Sequence, residues 1–160
     1  MVCLNDYEIL LEQVYNEVPV LEGYIRNRYD KEGLYRDGKI YIDKNLPLIR
    51  KREILAEEYG HHKTSVGNIL NLNSIENSKQ ETKARDYGVE ILVTLDDLID
   101  CALSDLHSNY DCAEYLGVTE DYFEEVLEYY YRKYGLSYKY KDYILYFDEN
   151  CLTVAKAEEE

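Results

Sequence analysis

Glu57 and His61 stand four residues apart in the run Glu57-Glu58-Tyr59-Gly60-His61-His62. On a helix that spacing lifts both side chains from one face, about 6 Å apart, the separation at which two protein ligands can grip one metal ion. Glu58 directly follows the first of them, where a general base would take a proton from water activated by the metal. A third ligand from a later helix would leave an open fourth position for water, and Glu81 can supply it. The competing reading of the same residues is an acidic helix end with a histidine near the C-terminal dipole, where positive charge is favoured anyway. His62 lies about 100° round the helix from His61, so a regular helix cannot bring both to one ion. A register using Glu58 and His62 would put Tyr59 in the base position, which is chemically poor. His62 therefore reads as a surface or loop-capping residue, and the isolated His107 takes no role.

The elements that must position these residues follow from periodicity and punctuation. Leu4, Tyr7, Leu10, Leu11, Val14 and Tyr15 recur at three and four, which predicts an amphipathic helix over 4–17, closed by Pro19. Residues 20–38 read as irregular, with an edge strand near Leu34–Tyr35. Asp37-Gly38 is a turn signal, and Lys39-Ile-Tyr-Ile-Asp43 alternates as a strand does, so a hairpin is expected around 33–43. Asn45-Leu46-Pro47 opens the helix that carries Glu57 and His61. The Ser-, Asn- and Gly-rich stretch 63–78 reads as a loop, and a long helix is expected over about 79–100, with Ala84, Tyr87, Gly88, Ile91, Leu92 and Leu95 inward. A helical pair over 111–134, a hairpin over 138–147 and a frayed tail from Lys156 complete the chain.

Composition bounds the partners. The net charge of −15 repels nucleic-acid phosphates and anionic membranes, and favours a basic protein partner or a plain solvated surface. No stretch is apolar enough to span a bilayer. The start, Met1-Val-Cys-Leu-Asn-Asp-Tyr, lacks the basic region of a secretory signal, so a cytoplasmic protein is expected. Cys3, Cys101, Cys112 and Cys151 show no CxxC spacing and read as reduced, small buried hydrophobes. Nineteen tyrosines and no tryptophan read as a compositional feature rather than a site; a tyrosine filling the core keeps a hydroxyl that wants a partner.

Ala113, Gly117, Phe123 and Val126 have helix-turn-helix spacing, with Thr119 as N-cap. The second helix of that unit, however, carries Glu120, Asp121, Glu124, Glu125 and Glu128 against Arg132 and Lys133 at its end. Such a helix would meet DNA phosphates with like charge, so no direct nucleic-acid binding is expected.

Ile54-Leu-Ala-Glu-Glu-Tyr-Gly-His-His-Lys-Thr-Ser65, followed by Glu81-x-x-Ala84-x-x-Tyr87-Gly-x-x-Ile91-Leu92, resembles the ImmA/IrrE metallopeptidases. Their signature is a helix reading HELGH and a second reading ExxA, followed by an aromatic and an aliphatic pair. The likeness runs over roughly residues 35–155, taking in Leu116-Gly-Val-Thr-Glu and the Tyr143-Ile-Leu-Tyr-Phe strand. It implies an α+β, mostly helical fold. Residues 1–100 would form a zincin-like metallopeptidase core with a small β-hairpin or sheet. Residues 101–160 would form a helix-turn-helix-like unit with a terminal hairpin, packed on that core. It further implies zinc as cofactor, Glu57, His61 and Glu81 as its ligands, and Glu58 as general base. The implied activity is that of an endopeptidase that cleaves or inactivates a regulatory protein, such as a phage or mobile-element repressor. The alternative is a degenerate anti-repressor that acts by protein–protein binding without turnover. The chain departs from the signature at Glu57, where the family has histidine. A carboxylate there adds negative charge and makes the zinc a weaker Lewis acid.

Overall fold

In the computed structural model, which describes residues 3–65, 74–106, 108–148 and 151–158, the chain divides into two compact units, Met1–Leu92 and Val93–Glu160. His107 and part of the expected 63–78 loop lie outside the described residues.

The first unit begins with helix α1 (Asp6–Tyr15), started by a capping box in which Asn5 and Glu8 satisfy each other's backbone amides. Strand β1 (Val20–Gly23), the one-and-a-half-turn helix α2 (Ile25–Tyr29), and strands β2 (Gly33–Arg36) and β3 (Lys39–Asp43) follow. Asp37 and Gly38 both have positive φ, 52° and 71°, the geometry of a tight two-residue hairpin turn. Alternation in β3 sends Ile40 and Ile42 fully into the core. The sheet has the order β1-β3-β2, with β3 antiparallel to β2 and parallel to β1. The segment expected to be irregular thus contains a strand and a helix. Val20-Leu-Glu-Gly23 is too short to show alternation, and its parallel partner is twenty residues away, so only non-local pairing makes it a strand.

Two long helices, α3 (Leu48–Thr64) and α4 (Ser74–Leu92), pack on each other and carry the residues of chemical interest. Small residues set their spacing: a Cβ at Gly60 would fall inside the Ala84 carbonyl, with only 2.8 Å to its carbon, and one at Gly88 would lie 3.1 Å from the Ala56 backbone. α4 starts before the expected residue 79 and stops at Leu92. The single helix expected over 79–100 is two, because Thr94 forms a capping box with Asp97 and starts helix α5 (Leu95–Leu103) afresh. That cap was written in the sequence, but the apolar periodicity running across it concealed the break.

In the first turn of α3, Lys51 is buried with its ammonium 2.7 Å from Glu22 of β1, and Tyr7 of α1 donates its phenol to the same carboxylate at 2.5 Å. Burial by itself lifts the Glu22 carboxyl, but the Lys51 and Tyr7 hydrogen bonds outweigh it and hold the group below the usual glutamate range. A depressed carboxyl stabilises the fold above its unfolded pKa of about 4.3 and loses that contribution as pH falls through the lower folded value. Glu22→Gln is therefore expected to lower the melting temperature at pH 7. The deficit relative to wild type should close as the pH is taken below about 4; a pH-independent gap in thermal melts would contradict this assignment.

The second unit contains α5, α6 (Asn109–Leu116), α7 (Glu120–Tyr134) and strands β4 (Ser137–Tyr140), β5 (Tyr143–Asp148) and β6 (Cys151–Lys156). Gly117 ends α6 in the left-handed conformation at φ 67°, and Thr119 caps α7 through the Tyr122 amide. Ala113, Phe123 and Val126 are buried, as the turn pattern requires. The strands form an antiparallel β4-β5-β6 meander, one strand more than the expected hairpin, and β5 buries Leu145 and Phe147. Tyr130 donates to the Val93 carbonyl at 2.7 Å and stacks on Phe147, so a buried phenol here does have its partner. All four cysteines are free; Cys101 and Cys112 are buried, whereas Cys3 and Cys151 are exposed, against the expectation for those two. No helix among the described residues is long and apolar enough to cross a membrane. The architecture is the mostly helical α+β fold that the sequence led us to expect.

Candidate metal centre

Glu57 and His61 rise from one face of α3, and Glu81 faces them from α4. A ligand atom from each lies within 4.8 Å of the other two. His61 Nε2 and Glu81 Oε2 are 3.3 Å apart. That equals the edge of a tetrahedron whose centre lies about 2.0 Å from each corner, the usual zinc–ligand distance. Glu57 supplies the third oxygen donor of the group, within 4.8 Å of the other two. A donor set of two carboxylate oxygens and one imidazole nitrogen suits a divalent cation of the zinc type, so the residues present fit the metal.

These groups line a cleft of about 480 Å³, together with Gly33, Leu34 and Tyr35 of β2. Glu58 lies in the same wall but is buried, at 9% exposure. Burial, reinforced by the Glu57 charge, pushes its carboxyl up to about 8, while a hydrogen bond from the Tyr35 backbone amide and the charge of Lys31 pull the other way. A carboxyl in that range is suited to exchanging protons near neutral pH. Gly33 makes room for it: a Cβ there would press on Ile54 and come within 3.1 Å of Glu58 Cγ.

The other histidine of the run, His62, is partly exposed. His62 Nδ1 lies 3.1 Å from the Tyr35 hydroxyl, and its ring stacks on Tyr59 at 6.1 Å; it is not part of the Glu57–His61–Glu81 group. Sequence reasoning also overlooked three contributors. Tyr35 acts through its backbone, which no side-chain pattern reveals. Gly60 acts through what it lacks, although its spacing of four from Ala56 marks a small-residue face. Arg85 places Nη2 at 3.9 Å from Glu57 Oε1; its spacing of four from Glu81 was the available signal.

No curated protein and no solved structure matches the chain. The model of the IrrE N-terminal-like domain, Peptidase M78, matches residues 18–128, a span that includes β1–β3 and all of α3 and α4. With a helix pair that brings Glu57, His61 and Glu81 together and more than half of the sequence matched, the chain belongs to the M78 peptidase family, that of the IrrE N-terminal-like domain.

Proposed function

We propose that this protein is a zinc-dependent endopeptidase that cleaves or inactivates a regulatory protein, such as a phage or mobile-element repressor. The observation that carries the reading is the convergence of Glu57, His61 and Glu81 in a cleft whose wall holds the buried carboxyl of Glu58. Glu57, His61 and Glu81 would hold the ion. Bound there, zinc supplies Lewis acidity, polarising a peptide carbonyl and making water easier to deprotonate. Glu58 takes the proton from that water and passes it to the leaving amine, its carboxylate oriented by the Tyr35 amide. The partner is a protein rather than DNA: Glu120, Asp121, Glu124, Glu125 and Glu128 are all exposed on α7, and net charge −15 favours a basic polypeptide. Cytoplasmic action follows from such a substrate.

A second reading, an anti-repressor that binds without turnover, draws on the carboxylate at Glu57, which weakens the Lewis acid. Incubation with a repressor from the same genetic element separates the two. Cleavage products on a gel are expected with zinc, none with a chelator, and none from His61→Ala. A repressor that stays intact yet loses its operator would leave the second reading standing in place of the first.

A further inference from the structure

We infer that Arg85 is the counter-ion of Glu57 in the metal-free protein and competes there with the divalent cation, so that it sets how tightly the metal is held; the inference rests on the metal-site reading above. Three carboxyl groups, of Glu57, Glu58 and Glu81, share one cleft. Such crowding raises the free energy of the metal-free form unless cations offset it. Lys31 lines the cleft and its charge acts on Glu58, whereas Arg85 meets Glu57 at 3.9 Å; His61, 3.3 Å from Glu81, adds a positive charge only when protonated. Arg50, the other arginine of the cleft, is already held by Glu32 at 2.6 Å and by Glu53 at 2.9 Å. Arg85 sits one helical turn beyond Glu81 on α4, so the face that presents a ligand also presents a competitor for another ligand.

At 3.9 Å the Arg85–Glu57 contact is Coulombic rather than a hydrogen bond, and with Arg85 about half exposed it is a weak one. A cation among Glu57, His61 and Glu81 places two positive charges beside the guanidinium, and that repulsion opposes binding. One residue thus stabilises the metal-free form and weakens the loaded form. By linkage these are two faces of one coupling free energy. A side chain with only a packing role would give the first effect without the second.

The test is a zinc titration of chelator-stripped wild type, Arg85→Gln and Arg85→Lys at low ionic strength, with thermal melts of the same metal-free samples. Arg85→Gln is expected to bind zinc about three- to tenfold tighter than wild type and to melt lower when metal-free. Arg85→Lys, which keeps the charge, should stay within about twofold of wild type. The wild type–Gln difference should shrink in about 0.5 M salt. Zinc binding by Arg85→Gln that equals or falls below that of wild type overturns this inference and leaves the metal site intact. If none of the three proteins binds zinc at micromolar concentration, the metal-site reading fails and takes the inference with it.

Discussion

Glu58→Gln is expected to lower peptide turnover by at least about a hundredfold while leaving zinc affinity within about threefold of wild type. The two readouts separate because Glu58 is in the wall of the cleft but outside the ligand group. Glutamine matches glutamate in shape, and its carbonyl oxygen can still accept the Tyr35 amide. What it loses is the capacity to take up a proton, on which water attack at a peptide carbonyl depends. Burial and the Glu57 charge both oppose ionisation of Glu58 in the fold, so an uncharged amide is not expected to lower the melting temperature by more than about 2 °C. Single-turnover cleavage assays and zinc titration on the same preparation check both halves. Full turnover in the Gln protein would remove Glu58 from the chemistry, and a parallel loss of zinc would make it a ligand instead.

Gly60→Ala should have a large structural effect for a change of one carbon. Helix propensity alone predicts the opposite sign, since alanine is favoured over glycine in a helix interior by about 1 kcal/mol. The contact decides the matter. The added methyl would fall inside the Ala84 carbonyl and lie 2.8 Å from its carbon, and these are backbone atoms that no rotamer change can clear. α4 would have to withdraw by roughly 1 Å, a strain of about 1–3 kcal/mol. Because α4 carries Glu81 one turn before Ala84, that carboxylate, the proposed third ligand, retreats with it from His61. A more than tenfold loss of zinc affinity is expected, with a lower melting temperature. Gly88→Ala is the milder comparison: its nearest backbone atoms are 3.1 Å away, so a few tenths of an ångström suffice. Equal zinc affinity in Gly60→Ala and wild type would show that this crossing does not hold the site together.

The fold class and the pairing of Glu57 with His61 on one helix face were legible in the residues because their signals are local. Glu57 and His61 share a helix face through a spacing of four, Asp37-Gly38 needs only its own backbone to turn, and Gly117 with Thr119 ends one helix and caps the next. Local signals failed where two of them overlapped. The apolar rhythm running past Leu92 hid the Thr94–Asp97 cap that separates α4 from α5. Non-local pairing was equally invisible: β1 became a strand because β3, twenty residues further along the chain, accepted it as a parallel partner.

By itself, the sequence determined which side chains could bind a cation, and on which helices, since helical periodicity is a property of neighbouring residues. Only the tertiary structure decided that Glu81 reaches His61, that Glu58 is buried beneath a strand amide, and that Arg85 faces Glu57. Those outcomes depend on how closely two helices approach, which is set by the absence of side-chain bulk at Gly60 and Gly88, and on where β2 lies against α3. Spacing along one helix says nothing about either distance, because each is fixed by packing between segments that the chain brings together only on folding.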